Sequence, residues 1–144
     1  MAITISLYNH TRRRFADGSN APTDTYKLIL CTAATFNATH TTLAGITYTE
    51  VANGNGYTTG GATLANVTIG TTNTDEAAFD ADDVSWTAGG SSLSSSYGLL
   101  VNTTDTGSPP VAFIDFDGLK TAAAGTDFKV AWNAAGIFAF RKPV

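Results

Sequence analysis

Apolar and small polar residues alternate along most of this chain. Residues 2–8 (AITISLY) set Ile3, Ile5 and Leu7 against Thr4, Ser6 and Tyr8, the period-2 signature of a strand with one buried face. Residues 25–32 (TYKLILCT) are apolar on both faces, which predicts a central strand covered from both sides. Further strands are predicted at 46–51 (ITYTEV), 62–69 (ATLANVTI), 84–86 (VSW), 93–101 (LSSSYGLLV), 111–116 (VAFIDF), 128–132 (FKVAW) and 137–140 (IFAF). The separators are rich in turn formers: Asn53-Gly54, Asn55-Gly56, Gly60-Gly61, Ala88-Gly89-Gly90 and Ser108-Pro109-Pro110. The segment from Asn9 to Ala16 has room for one short helical turn, ended by Asp17-Gly18, and residues 36–45 read as a connecting excursion. No long period of 3.6 residues appears. The pattern predicts an all-β fold, a two-sheet β-sandwich with Greek-key or jelly-roll connections, ahead of a small closed barrel. At 144 residues without an internal linker, the chain reads as one domain spanning 1–144.

Composition narrows the function more than the fold. Only 14% of residues are charged, against a usual quarter, while the 43% hydrophobic share is ordinary. Thr, Ala, Gly and Asn make up the difference, giving a neutral surface of hydroxyls and amides suited to broad contact with other proteins. A net charge of −4 argues against nucleic acid as a partner, because phosphate binding needs a basic field. No apolar run reaches the ~20 residues that would span a bilayer, so no membrane partner is expected. Cys31, the one cysteine, excludes an intrachain disulfide and reads as a small buried hydrophobe. The opening MAITISLYNH has neither a basic region nor a long apolar core, so the expectation is synthesis in a reducing cytoplasm.

The candidate chemistry is sparse. The acidic run Asp75, Glu76, Asp80, Asp82 and Asp83 crowds hard oxygen donors of the kind calcium prefers, yet FDADDV lacks the glycine and distant glutamate of an EF-hand. It reads as a solvated loop beside a strand. His10 and His40, with Cys31, are too few ligands at no recognisable spacing for zinc. A Ser-His-Asp triad drawn from His40 has no nucleophile elbow around it. No metal, cofactor or catalytic residue is therefore assigned, and the chain is expected not to be an enzyme. Two features suit protein contact. Arg12, Arg13 and Arg14 form the basic cluster, able to make bidentate bonds to the carboxylates of a partner surface. Tyr57, between Gly56 and two threonines, is the candidate exposed anchor. Most other aromatic residues fall within strands and are expected in the core, including Trp132 on one strand face with Phe128 and Val130.

The order of segments resembles small structural proteins of tailed bacteriophages. The resemblance runs from about Leu7 to Phe140, and its most specific pieces are GNGYTTGGATL (54–64), FDADDVSW (79–86) and WNAAGIF (132–138). It implies a virion component made in the cytoplasm of a bacterial host. Within that class the leading expectation is a capsid decoration or cement protein, a homo-oligomer or multi-copy symmetric assembly bound to the major capsid protein ahead of other virion proteins. A tail, neck or receptor-binding component is the first alternative. A carbohydrate-binding β-sandwich module is the second, and it would expose an aromatic platform beside carboxylates.

Overall fold

The computed structural model describes residues 3–73 and 76–141. Eleven strands, one α-helix and a short 3-10 turn at Leu43–Gly45 are found among them: β1 Thr4–Leu7, α1 Asn9–Ala16, β2 Tyr26–Ala34, β3 Tyr48–Glu50, β4 Ala62–Thr63, β5 Thr68–Asn73, β6 Glu76–Asp80, β7 Val84–Thr87, β8 Leu93–Asn102, β9 Pro110–Ala122, β10 Asp127–Val130 and β11 Phe138–Arg141. The fold is all-β and sandwich-like, with every pairing antiparallel. The large sheet runs β1-β9-β8-β2-β3, with β4 also paired to β2. Two smaller sheets, β7-β10 and β5-β6-β11, complete it. The large sheet ends in unjoined edges at β1 and β3, so the barrel reading gives way to an open sandwich.

One core runs through all three sheets. Leu28 and Leu30 of β2, Leu100 of β8 and Ile114 of β9 pack with Phe79, Val84, Trp86, Phe128 and Val130 of the smaller sheets. Because side chains alternate along a strand, Ile29 and Cys31 point the other way. There they meet Tyr8, Ile46, Leu99, Val101 and Phe113 in a second cluster. The excursion at 36–45 helps to close that face: Leu43 packs against the cluster, and Phe36 lies 5.1 Å from the Tyr8 ring and 5.4 Å from Phe113. This two-sided burial is why β2 is apolar throughout.

Several observed elements differ from the predicted ones. The run at 62–69 is two strands, because Asn66 takes a left-handed φ of 52° and turns the chain between β4 and β5. Strand β6 falls in the segment read as an acidic loop. Its Ala78 and Phe79 are buried, and Glu76 pairs with Arg141 of β11 at 3.2 Å, so the charges at its ends conceal an apolar centre. Strand β9 is longer than VAFIDF because it carries a bulge. Tyr97 faces Asp115 but Ser95 faces Lys120, so the intervening β9 residues bow outward. Asp117 and Gly118 take φ of 58° and 92° within it, Phe116 turns into the core, and Leu119 is left 63% exposed.

Candidate functional site

Helix α1 is fastened along its inner side. Thr11 is buried and donates its hydroxyl to the Val111 carbonyl at 2.7 Å, and His10 Nε2 lies 2.8 Å from the Pro110 carbonyl. Phe15 packs edge-on against Phe79 and Phe138. Those anchors turn Arg12 and Arg13 outward, where both are exposed. Arg14 faces the other way. Its guanidinium donates to Asn20 Oδ1 and to the Ser19 carbonyl and pairs with the Asp105 carboxylate, tying the helix to the turn before β9. The predicted triple-arginine docking group is thus two free arginines and one internal brace. Asp17 sits close to them, its carboxyl held below its usual range first by hydrogen bonds from Ser19 and then by Arg13 and Arg14.

Tyr57 is not an exposed anchor: its ring is 2% exposed and lies beside Trp86. The hydroxyl accepts from the Leu30 amide at 3.1 Å and donates to Glu50 Oε1 at 2.7 Å. Glycines on either side allow this. They let the loop lie so close that a Cβ at Gly56 would stand 1.9 Å from the Thr87 carbonyl oxygen, and one at Gly61 2.0 Å from that of Leu28. An aromatic ring between glycines is here drawn inward.

Trp132 also departs from expectation. Phe128 and Val130 are buried, but β10 stops at Val130 because the Asp83 carboxylate accepts a hydrogen bond from the Trp132 amide at 2.9 Å and pulls the chain out of register. The indole Nε1 donates to the Asp82 carbonyl at 3.1 Å, and the ring stands half-buried at the rim. On one side lies a groove that Trp132 lines together with Ile3, Ile5, Asn133 and Ile137. On the other is an open depression of about 460 Å³ lined by Asp80, Asp82, Asp83 and Asn133.

The acidic run is therefore divided. Asp75 lies outside the described residues. Glu76 belongs to an ion pair at the far end of β6, while Asp80, Asp82 and Asp83 gather beside Trp132. Asp83 is engaged on both oxygens, with Lys129 at 2.9 Å and the Trp132 amide. Its carboxyl is held below its usual range by the Lys129 hydrogen bond first and the backbone bond second. Asp82 accepts from the Asn66 amide at 2.6 Å. Among the described residues no three His, Cys, Asp or Glu side chains stand together as metal ligands. Sequence reasoning missed the meeting of Trp132 with these carboxylates. No local signal announces it: the Val84–Val130 register of the β7–β10 pairing is what brings the ends of both segments together.

The two histidines flank Tyr8, each with its ring centroid 6.4 Å from the phenol. Tyr8 and Cys31 share the second core cluster. Burial pushes the Cys31 thiol up to about 12, with Glu50 adding to the effect, so it stays protonated at neutral pH and offers no thiolate nucleophile. Tyr8 is likewise raised by burial.

Compared with protein-family models, with curated proteins and with solved structures, the chain matches none of them.

Proposed function

We propose that this chain is a virion structural protein of a tailed bacteriophage, and within that class a decoration or cement protein that binds the outside of the capsid and braces contacts between capsomers. The resemblance of GNGYTTGGATL, FDADDVSW and WNAAGIF to such proteins supports the class. The observation that carries the binding role is the division of labour within the arginine run: Arg14 is spent on rigidity, while Arg12 and Arg13 stand free on a helix pinned to the sandwich. A rigid presenter loses little entropy on binding, and guanidinium groups are suited to carboxylates on a partner surface. The partner is the major capsid protein. Many copies, each burying a modest area at a seam, would together resist the pressure of packaged DNA without any catalytic step.

The test compares particles assembled with and without the chain. Particles lacking it are expected to form but to release their genome at lower temperature. Changing Arg12 and Arg13 to Ser should weaken attachment and leave the melting temperature of the free chain nearly unchanged. Equal stability of complete and depleted particles would refute the cement role.

A further inference from the structure

We infer that copies of this chain associate head to tail, the Arg12–Arg13 face of one copy docking on the Trp132 depression of the next. The inference rests on the reading of these arginines as a docking group and concerns the chain away from the particle, where no capsid surface occupies them; its test uses the isolated chain.

The two faces carry complementary chemistry. Among the described residues, Arg12 and Arg13 are exposed and have neither an ion pair nor a side-chain hydrogen bond, whereas Arg14, Lys129 and Arg141 are paired with carboxylates, Lys120 donates to the Asp117 carbonyl, and Lys27 is half-buried within β2. The depression holds three carboxylates, Asp80, Asp82 and Asp83, and Lys129 neutralises Asp83, so three minus one leaves two negative charges. Two guanidinium groups outside any ion pair thus meet two carboxylates outside any ion pair.

The wall of the depression makes the choice of cation more specific. Trp132 lines the depression with these carboxylates, held in place by its two hydrogen bonds to the Asp82–Asp83 segment. A guanidinium stacks on such a ring while bonding a carboxylate in its own plane. A neutral sugar would use the ring but not the net negative charge.

The donor and acceptor faces are different patches, built on α1 and on the β6–β7 and β10–β11 turns. Such a contact is heterologous: repeated with rotation it closes into a ring of copies, and without closure it extends.

The experiment is sedimentation velocity on the purified chain and two variants, Arg12→Glu with Arg13→Glu, and Asp80→Lys with Asp82→Lys. Asp80→Asn with Asp82→Asn serves as a milder second version should the reversal disturb folding, which circular dichroism would report. The natural chain is expected to self-associate at low salt and to dissociate as salt rises. Each variant alone should associate at least about tenfold more weakly. An equimolar mixture of the two charge-reversed chains should recover association, because the intact depression of one meets the intact arginines of the other. A natural chain that stays monomeric at low salt and high concentration overturns the inference, as does association that survives in both variants or a mixture that stays monomeric. Binding of a neutral polysaccharide that is lost in Trp132→Ala, by a chain that never self-associates, would assign the depression to sugar instead.

Discussion

Tyr57 donates its hydroxyl proton to Glu50 Oε1 at 2.7 Å, and the same oxygen accepts the Gly60 amide at 2.6 Å. One carboxylate thus closes the Asn-Gly loop from both ends, while the Tyr57 oxygen accepts the Leu30 amide of the central strand. Asn55 secures the outer side, donating to the Ser91 and Ser92 carbonyls and accepting from the Ser91 amide. The most distinctive stretch of the sequence is a brace. Tyr57→Phe should therefore cost about 1–3 kcal/mol, since it leaves the Leu30 amide without its partner. Urea unfolding checks this, and binding by the folded variant should be unchanged.

Neighbouring glycines in that loop separate two kinds of constraint. Gly60 and Gly61 both have positive φ, 95° and 80°, but a Cβ on Gly60 would meet nothing within 4 Å, while one on Gly61 would enter the Leu28 carbonyl. Gly60→Ala should cost only the left-handed backbone term, about 1–2 kcal/mol. Gly61→Ala should cost clearly more, because β2 must move. Thermal melts of the pair give the comparison directly.

Core and rim aromatics should differ in the same way. Phe79 is fully buried, stacked on Phe138 at 5.1 Å and touching Phe15 and Tyr26, so Phe79→Ala should cost about 3–5 kcal/mol. Trp132 is half-buried, and Trp132→Ala should cost about half as much. Equal losses in equilibrium unfolding would mean that the indole is as deeply packed as the phenyl ring.

Alkaline pH should expose the buried acids. Folding raises the Cys31 thiol from an ordinary 9.0 to about 12 and moves Tyr8, Tyr26 and Tyr57 upward from 10.0, in each case chiefly by burial. The folded state therefore holds protons that the unfolded chain releases. The stability linked to these groups is complete below about pH 9 and falls as pH rises beyond it. Melting temperature should decline above that point, and ultraviolet titration should show delayed ionisation of those tyrosines until unfolding. At neutral pH, Cys31 should resist thiol reagents in the native chain and react fully in denaturant.

The strand pattern was legible wherever burial is one-sided or complete. Thr4–Leu7 and Tyr26–Ala34 announce themselves by alternation and by an unbroken apolar run, and helix α1 by the stop at Asp17-Gly18. Strand β6 was hidden because Glu76 and Asp80 bracket two alanines and a single phenylalanine, too little apolar signal to outweigh the charges. The candidate site was legible only in part. Arg12 and Arg13 are exposed on α1, as a basic cluster in sequence suggests, but the inward turn of Arg14 depends on Asp105, ninety-one residues away. Tyr57 was misjudged because flanking glycines signal a turn without saying which way the ring points. The depression beside Trp132 is a tertiary product of the β7–β10 pairing, and nothing local in either segment announces it.

The proposed role is tested most directly by a cryo-electron map of the intact particle that carries this chain. The account predicts density for the sandwich on the outer shell, repeated with the capsomers and contacting the major capsid protein through the Arg12–Arg13 side of α1. Density confined to a single ring at the neck or tail, or no density on the particle at all, would contradict it.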